Sequence, residues 1–234
     1  MVSPVSFRPG TMDEEIYHAV YRDNEYRLPE AFSPDDVVLD IGAHIGSFVR
    51  AALDRGAGRI NAFEANPQNF AWLAKNVGAF SERVTLSNKA VWRSDRPATM
   101  LYFAGSRDER NTGGGCVYGE SGIEVEAVPF DDVVREITDS GRQRVKLLKI
   151  DCEGAEFPIL LTAKTLSLID HIVGEFHEFG EGGGHIQDVC RVPGFERFTI
   201  AELTAFLEKA GFAVKSERNG TSTMGLFFAH RGPW

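Results

Sequence analysis

Cysteine is scarce in this chain: Cys116, Cys152 and Cys190 stand far apart and none belongs to a CxxC pair. That argues against a zinc knuckle or a dithiol redox motif and fits reduced thiols in a cytoplasmic setting. No apolar run approaches the roughly 18 residues of a membrane span. The opening MVSPVSFRPGTMDEE holds no apolar signal core, so a cytoplasmic protein without membrane contact is expected. Basic runs are missing too. With 25 Lys and Arg against 34 Asp and Glu the formal net charge is −9, which disfavours nucleic acid as a partner. Internal repeats and low-complexity tails are also absent. What is present is 234 residues with 43% hydrophobic and 25% charged content, enough for one well-buried domain and marginal for two. A single domain is expected, with an extension over 1–33 leading into a body over 34–234.

The most informative stretch is VVLDIGAHIGSFVRAAL, Val37 to Leu53. An apolar β-branched run ends in Asp40, Gly42 and Gly46 follow, and an amphipathic helix begins. Glycines at such a turn let backbone approach a ligand, and the helix N-terminus adds exposed N–H groups and partial positive charge. Glu64 closes the next apolar run, RINAFEANP, 24 residues after Asp40. An acid at that distance is placed to accept hydrogen bonds from ribose hydroxyls. Together these predict a nucleoside-bearing cofactor at the carboxyl edge of a parallel sheet.

Strand and helix patterns alternate from there. Strands are expected at 37–41, 59–63, 84–87, 145–150 and 171–176, and helices at 45–55, 67–77, 130–137, 157–163 and 200–210. Pro67 early and Gly78 late frame one helix, and Thr199 with Glu202 forms a capping box for the last. AVW at 90–92 follows the third strand. Segments 97–103 and 123–128 read as strands flanking a loop, Gly105 to Gly122, too long for a plain connection. Phe212–Ser216 and Met224–His230 are expected to close the chain as a hairpin around Asn219-Gly220. The pattern is α/β and doubly wound, with a mostly parallel sheet. The candidate site residues Asp40, Glu64, Asn88, Asp151 and Glu175 all fall at predicted strand ends, where such folds bind ligands. Residues 13–22 read as a short helix, either a lid over the pocket or a cap on a sheet face.

The first loop, GAHIG, is not the GxGxxG of dinucleotide sites. An Asp before the first Gly suits S-adenosylmethionine, which carries no phosphate but does carry an ammonium and a sulfonium; Asp40, Asp151 and Glu153 would supply the matching negative field. In VVLDIGAHIGSF, INAFEANPQNFAWLAKN, SNKAVW and LLKIDCEGAEFPIL the chain resembles the FkbM-family methyltransferases, over about residues 7 to 180. FRPGTMDEEIY…NEYRLP resembles the family's entry segment, and KIDCEGAE at 149–156 is the most specific piece. The resemblance implies a class I, Rossmann-like methyltransferase fold: a doubly wound, mostly parallel seven-stranded sheet with a C-terminal antiparallel hairpin. It also implies an S-adenosylmethionine-dependent enzyme, usually acting on oxygen in sugars, polyketides or related natural products. On this basis Asp40, Gly42, Ala43, His44 and Gly46 would line the methionine and ribose portion. Glu64 and Ala65 would meet the ribose, Asn88 and Ala90 the adenine edge, and Asp151 the methionine or the acceptor. His44 stands where the family commonly has asparagine, which leaves its side-chain role open.

Methyl transfer relies mostly on proximity and orientation, and a hydroxyl acceptor also needs a base for its proton. His177, in GEFHEFGEGGGH beside Glu175 and Glu178, is the leading base; Asp151 and Glu175 are the other catalytic candidates. A histidine that only hydrogen-bonds the following loop is the competing reading. No metal is favoured, although Asp151, Glu175 and His177 offer an arrangement for magnesium or calcium. Strand-end carboxylates are equally explained by the cofactor's ammonium and by helix N-termini. Lys149 is expected to pair with a carboxylate, Trp72 and Trp92 to pack, and Cys152 to lack the basic partner of a nucleophile. Gly182-Gly183-Gly184 reads as a rim, not a phosphate loop. Contacts to a small-molecule or sugar-like acceptor are expected from 1–33, 105–122 and 178–198. A homodimer is the base-rate expectation. Nitrogen as acceptor, chemistry on the cofactor's aminobutyl arm, and a non-catalytic binding module remain the alternatives.

Overall fold

A computed structural model describes residues 4–117, 121–179, 192–218, 220 and 222–233. Its strands are β1 (Val37–Ile41), β2 (Arg59–Phe63), β3 (Val84–Ser87), β4 (Ala90–Trp92), β5 (Met100–Phe103), β6 (Ile123–Pro129), β7 (Val145–Ile150), β8 (Ile169–His177), β9 (Ala213–Arg218) and β10 (Met224–His230). Seven of them form one sheet in the order β3-β2-β1-β7-β8-β10-β9. Every pairing is parallel except those of β10, which runs against both β8 and β9. The order reverses between β1 and β7, and the crevice where such sheets bind ligands opens at that point. This is the Rossmann-like architecture expected above. AVW does not extend the main sheet: β4, β6 and β5 make a separate three-stranded sheet in that order.

The helices are α1 (Asp13–Tyr17), continued by a π turn over His18–Arg22, then α2 (Ser47–Asp54), α3 (Pro67–Val77), α4 (Phe130–Ile137), α5 (Glu156–Thr162) and α6 (Ile200–Lys209). Local chemistry sets their starts. The Asn66 side chain accepts from Gln68 N before α3, and Thr199 accepts from Glu202 N before α6. Helix α2 starts two residues later than its pattern implies, because His44 (φ 52°) and Gly46 (φ 94°) hold left-handed backbone. Gly78 ends α3 but stays right-handed (φ −58°) and leads into a 3₁₀ turn. Asn219 of the expected final turn lies outside the described residues.

Successive strand residues face opposite sides, and each side has its own core. Leu39, Leu148 and Ile150 pack with Phe130, Phe157 and Phe176 on one face. Val38, Leu147 and Val173 pack with Phe48, Leu73 and Phe228 on the other. Val20, Tyr26, Leu28 and Phe32 of the N-terminal segment enter this second core, so the segment caps a sheet face. Trp92 is buried in the first core. Among the described residues no helix is long and apolar enough to cross a membrane.

Candidate active site

A cavity of about 290 Å³ lies at the carboxyl ends of β1, β2, β7 and β8. Its floor comprises Gly42, Ala43 and His44 after β1, Glu64 and Ala65 after β2, Ala90, Asp151 after β7, and Glu175 of β8. Ile16 and Tyr26 from the N-terminal segment, Phe103 at the end of β5, and Asn111 and Val117 of the long loop close over it. The N-terminal segment therefore caps the sheet and roofs the cavity at once. Met224 of β10 also lines the cavity, and nothing in its local sequence marks it. Gly182-Gly183-Gly184 and Cys190 lie outside the described residues.

The glycine loop is shaped by close approach. Gly42 has φ 81°, and a Cβ there would sit 1.8 Å from the Asp151 carbonyl oxygen, so only glycine fits. Gly42 N and Ala43 N both donate to Phe63 O at 3.0 Å. Glu64 Oε2 accepts from His44 N (2.7 Å) and Oε1 from Asn66 N (2.8 Å). A carboxylate offers about four lone-pair sites, so capacity remains for ribose hydroxyls. Burial pushes the Glu64 carboxyl up to about 7. Ser47, at the start of α2, lines the cavity with a buried hydroxyl that has no hydrogen-bond partner among the described residues.

Three residues expected at the cofactor stand behind this wall. Asp40 is fully buried, and its Oδ1 lies 3.2 Å from Lys149 Nζ. Lys149 also donates to Gly42 O at 2.6 Å, so the Asp40–Lys149 pair tethers the glycine loop from below. Burial alone would lower the Lys149 pKa, but Asp40 and Asp151 outweigh it and keep the ammonium charged. Gly46 packs against Leu73 and Val77. The Asn88 amide donates to Glu64 O (2.8 Å) and Ala65 O (3.1 Å), fixing the turn after β2. The pairing expected for Lys149 is present.

A polar latch joins the roof to the floor. Arg8 makes a bidentate contact with Asp13 (2.9 and 2.8 Å) and donates to Asn69 Oδ1 (2.7 Å). Its guanidinium also reaches His44 Nε2 at 3.1 Å. Thr112 of the long loop donates to Asp13 Oδ1 at 2.7 Å, and Asn69 donates to Thr112 O at 2.9 Å. Nε2 lies closer still to Thr112 Oγ1, at 2.8 Å, and burial lowers the His44 pKa to about 4, so the imidazole is neutral. The histidine in place of asparagine therefore holds down the N-terminal segment.

The far end of the cavity is acidic. Tyr26 donates to Asp151 Oδ2 at 2.9 Å. Glu153 (φ 55°) and Gly154 (φ 96°) turn the chain sharply after β7. Glu156 clamps this turn by accepting from Cys152 N and Gly154 N, each at 2.7 Å. The KIDCEGAE motif is thus a strand-end acid, a left-handed turn and the carboxylate that binds it, with Glu156 making the loop bonds. Burial and the surrounding acids push the Cys152 thiol well above its ordinary range, which keeps it unreactive.

His177 is not among the cavity-lining residues; it is 1% exposed beneath this acidic end. Its Nδ1 lies 3.4 Å from Glu156 Oε1, and its Nε2 lies 3.5 Å from Glu153 Oε2 and 3.7 Å from Glu175 Oε2. Neither nitrogen has a hydrogen-bond partner among the described residues, and most of the loop that follows lies outside them. Burial disfavours its charge, but Glu153, Glu156 and Glu175 outweigh that and raise its pKa, the opposite of what a free base needs. Asp151 and Glu175 do reach the cavity, whereas His177 stands behind them.

The model of the methyltransferase FkbM domain matches residues 40–214. The AMB antimetabolite synthetase AmbE of Pseudomonas aeruginosa is 26% identical over 228 residues, covering 78% of this chain and 10% of AmbE. The chain thus spans about a tenth of that relative's length. Precorrin-6y C5,15-methyltransferase from Geobacter metallireducens GS-15 is similar over 97% of this chain and 93% of its own, at 16% identity and a TM-score of 0.49. M. capricolum TrmK, in complex with S-adenosyl-homocysteine, is similar over 91% and 68%, at 9% identity and a TM-score of 0.47.

Proposed function

The chain belongs to the FkbM methyltransferase family, and on that premise we propose that it methylates a hydroxyl of a small-molecule natural product or sugar-like acceptor, using S-adenosylmethionine. One observation carries the reading: the Gly42–His44 loop, Glu64, Ala90, Asp151 and Glu175 converge on a single cavity at the switch point of the sheet. The residues suit the cofactor. Glu64 keeps acceptor capacity for ribose hydroxyls, Phe63, Ala65 and Ala90 offer an apolar wall for a purine, and the Ser47 hydroxyl is buried without a partner among the described residues. Asp151 supplies negative charge for an ammonium. When bound, S-adenosylmethionine supplies a methyl group on a positively charged sulfur.

This chain's own residues do the rest. Glu175, at the cavity wall, takes the proton that the acceptor hydroxyl must lose. Tyr26 orients Asp151 through its 2.9 Å hydrogen bond. The roof from 12–26 and 103–117 keeps water from the reacting groups. The stretch of AmbE similar to this chain belongs to a protein named for making an antimetabolite, which supports a small-molecule acceptor. The test is calorimetric titration of S-adenosylhomocysteine into the wild type and Glu64→Ala. Micromolar binding that the substitution abolishes supports the reading, and no binding to wild type counts against it. An amine acceptor is the second reading, because Glu25, Asp151, Glu153 and Glu175 all face the cavity. Transfer of labelled methyl to amine against hydroxyl acceptors separates the two.

A further inference from the structure

We propose that the acidic end of the cavity is a divalent-cation site, formed by Asp151, Glu153 and Nε2 of His177, with an oxygen-preferring ion such as Mn²⁺ or Mg²⁺ as its ligand. One ligand atom from each of the three residues lies within 4.8 Å of the others, which is close enough for one ion to reach all three after small side-chain shifts. They come from two strand ends that β7–β8 pairing sets side by side. Two carboxylates and one imidazole form a mixed set with hard oxygen predominating, which selects Mn²⁺ or Mg²⁺ over a thiophilic metal.

The second observation is His177 itself. It is 1% exposed, yet neither ring nitrogen makes a hydrogen bond among the described residues. The ring is nevertheless well oriented. Nδ1 faces Glu156, and Glu156 is immobilised by Cys152 N and Gly154 N at 2.7 Å. A carboxylate behind one nitrogen, with the other turned toward further carboxylates, is how metal-binding histidines are held. Nε2 then points between Glu153 and Glu175, at 3.5 and 3.7 Å. Binding would displace a proton from the imidazole into solvent. The left-handed turn at Glu153 has a purpose in this arrangement, since it swings that carboxylate back toward β8. The site itself stands on this geometry, and only its role rests on the methyltransferase reading: the ion would hold an acceptor oxygen beside Glu175.

The experiment is Mn²⁺ titration of EDTA-treated full-length protein, followed by electron paramagnetic resonance. Wild type, Glu153→Gln and His177→Gln are compared, with S-adenosylhomocysteine affinity measured on each metal-free sample. One bound Mn²⁺ per chain is expected, displaced by Mg²⁺ and weakened at least about tenfold in both variants. Glu153 is partly exposed, so its near-isosteric glutamine decides the matter if the buried His177 variant does not fold. Absence of Mn²⁺ binding, or binding unchanged in Glu153→Gln, overturns the site. If S-adenosylhomocysteine still binds in that case, the methyltransferase reading survives. If Mn²⁺ binds but the nucleoside does not, the methyltransferase reading fails and the ion site stands.

Discussion

Replacing Lys149 with methionine tests whether the charge beneath the glycine loop holds the site together. Lys149 and Asp40 are register partners across β1 and β7, 5% and 0% exposed, with Nζ 3.2 Å from Oδ1. Removing the ammonium leaves a carboxylate with no access to water, and losing one partner of a buried pair costs about 3–5 kcal/mol. The lost hydrogen bond to Gly42 O adds roughly 1 kcal/mol, partly offset by burial of the methionine methyl. Asp40→Asn alone should be costly as well, since it leaves a buried ammonium with only the more distant Asp151, at 3.9 Å. The double variant removes both charges and should return to within about 2 kcal/mol of wild type, because neutral replacement of a buried pair is often nearly free. Urea unfolding followed by far-UV circular dichroism measures all four proteins, and the cycle should give a coupling of at least about 2 kcal/mol. Affinity for S-adenosylhomocysteine should not recover in the double variant, since Gly42 O has lost its tether. If the single costs simply add, the pair is not what stabilises this strand junction and the argument fails.

Three further outcomes follow from the same geometry. Gly42→Ala should destabilise by at least about 3 kcal/mol, given φ 81° and a Cβ position 1.8 Å from backbone oxygen. Gly46→Ala should cost less, because the Leu73 and Val77 side chains it meets at 3.0 Å can move; urea midpoints that rank the two the other way would contradict the loop geometry. His44 is neutral in the folded protein with a pKa of about 4, so below its ordinary 6.5 the unfolded chain binds a proton that the native state does not. Stability is then complete above that value and falls with acidification, by about 2 kcal/mol between pH 7 and pH 5. Limited proteolysis should show the 4–28 segment opening over the same range. Asparagine tolerates the left-handed backbone at 44 and does not titrate, so His44→Asn should flatten the response, and an equally steep slope in that variant would exclude His44 as its source. Thr199→Ala removes the acceptor for Glu202 N and should cost about 1 kcal/mol in urea unfolding.

Much of the fold is legible in the sequence because it is locally encoded. Several strand bounds, 37–41, 59–63, 84–87 and 145–150, follow from apolar runs alone, and α3 and α6 start where Pro67 and Thr199 say they should. The convergence of Asp151, Glu175 and Glu64 on one cavity follows from topology, since every parallel strand delivers its carboxyl end to the same edge. Signals at single positions mislead where partners are distant. Asp40 looks like a ligand contact until the β1–β7 register sets it against Lys149. Asn88 has no local sign that its amide is used by the β2 turn. His177 reads as a base from its neighbours in sequence, yet it is Glu153 and Glu156, more than twenty residues away, that set its charge.

Chain order and residue type alone determined that this protein would build a doubly wound sheet with an acid-tipped, glycine-turned edge, because hydrophobic period, turn residues and capping act over a few residues. Only the tertiary structure decided which acids face the cavity and which lie behind it. It also decided that residues 4–28 roof that cavity through Arg8, Asp13 and His44, and that His177 is sealed beneath three carboxylates. Those outcomes depend on strand register and on contacts between segments as far apart as Tyr26 and Asp151, 125 residues, and distances of that kind exist only once the sheet has closed.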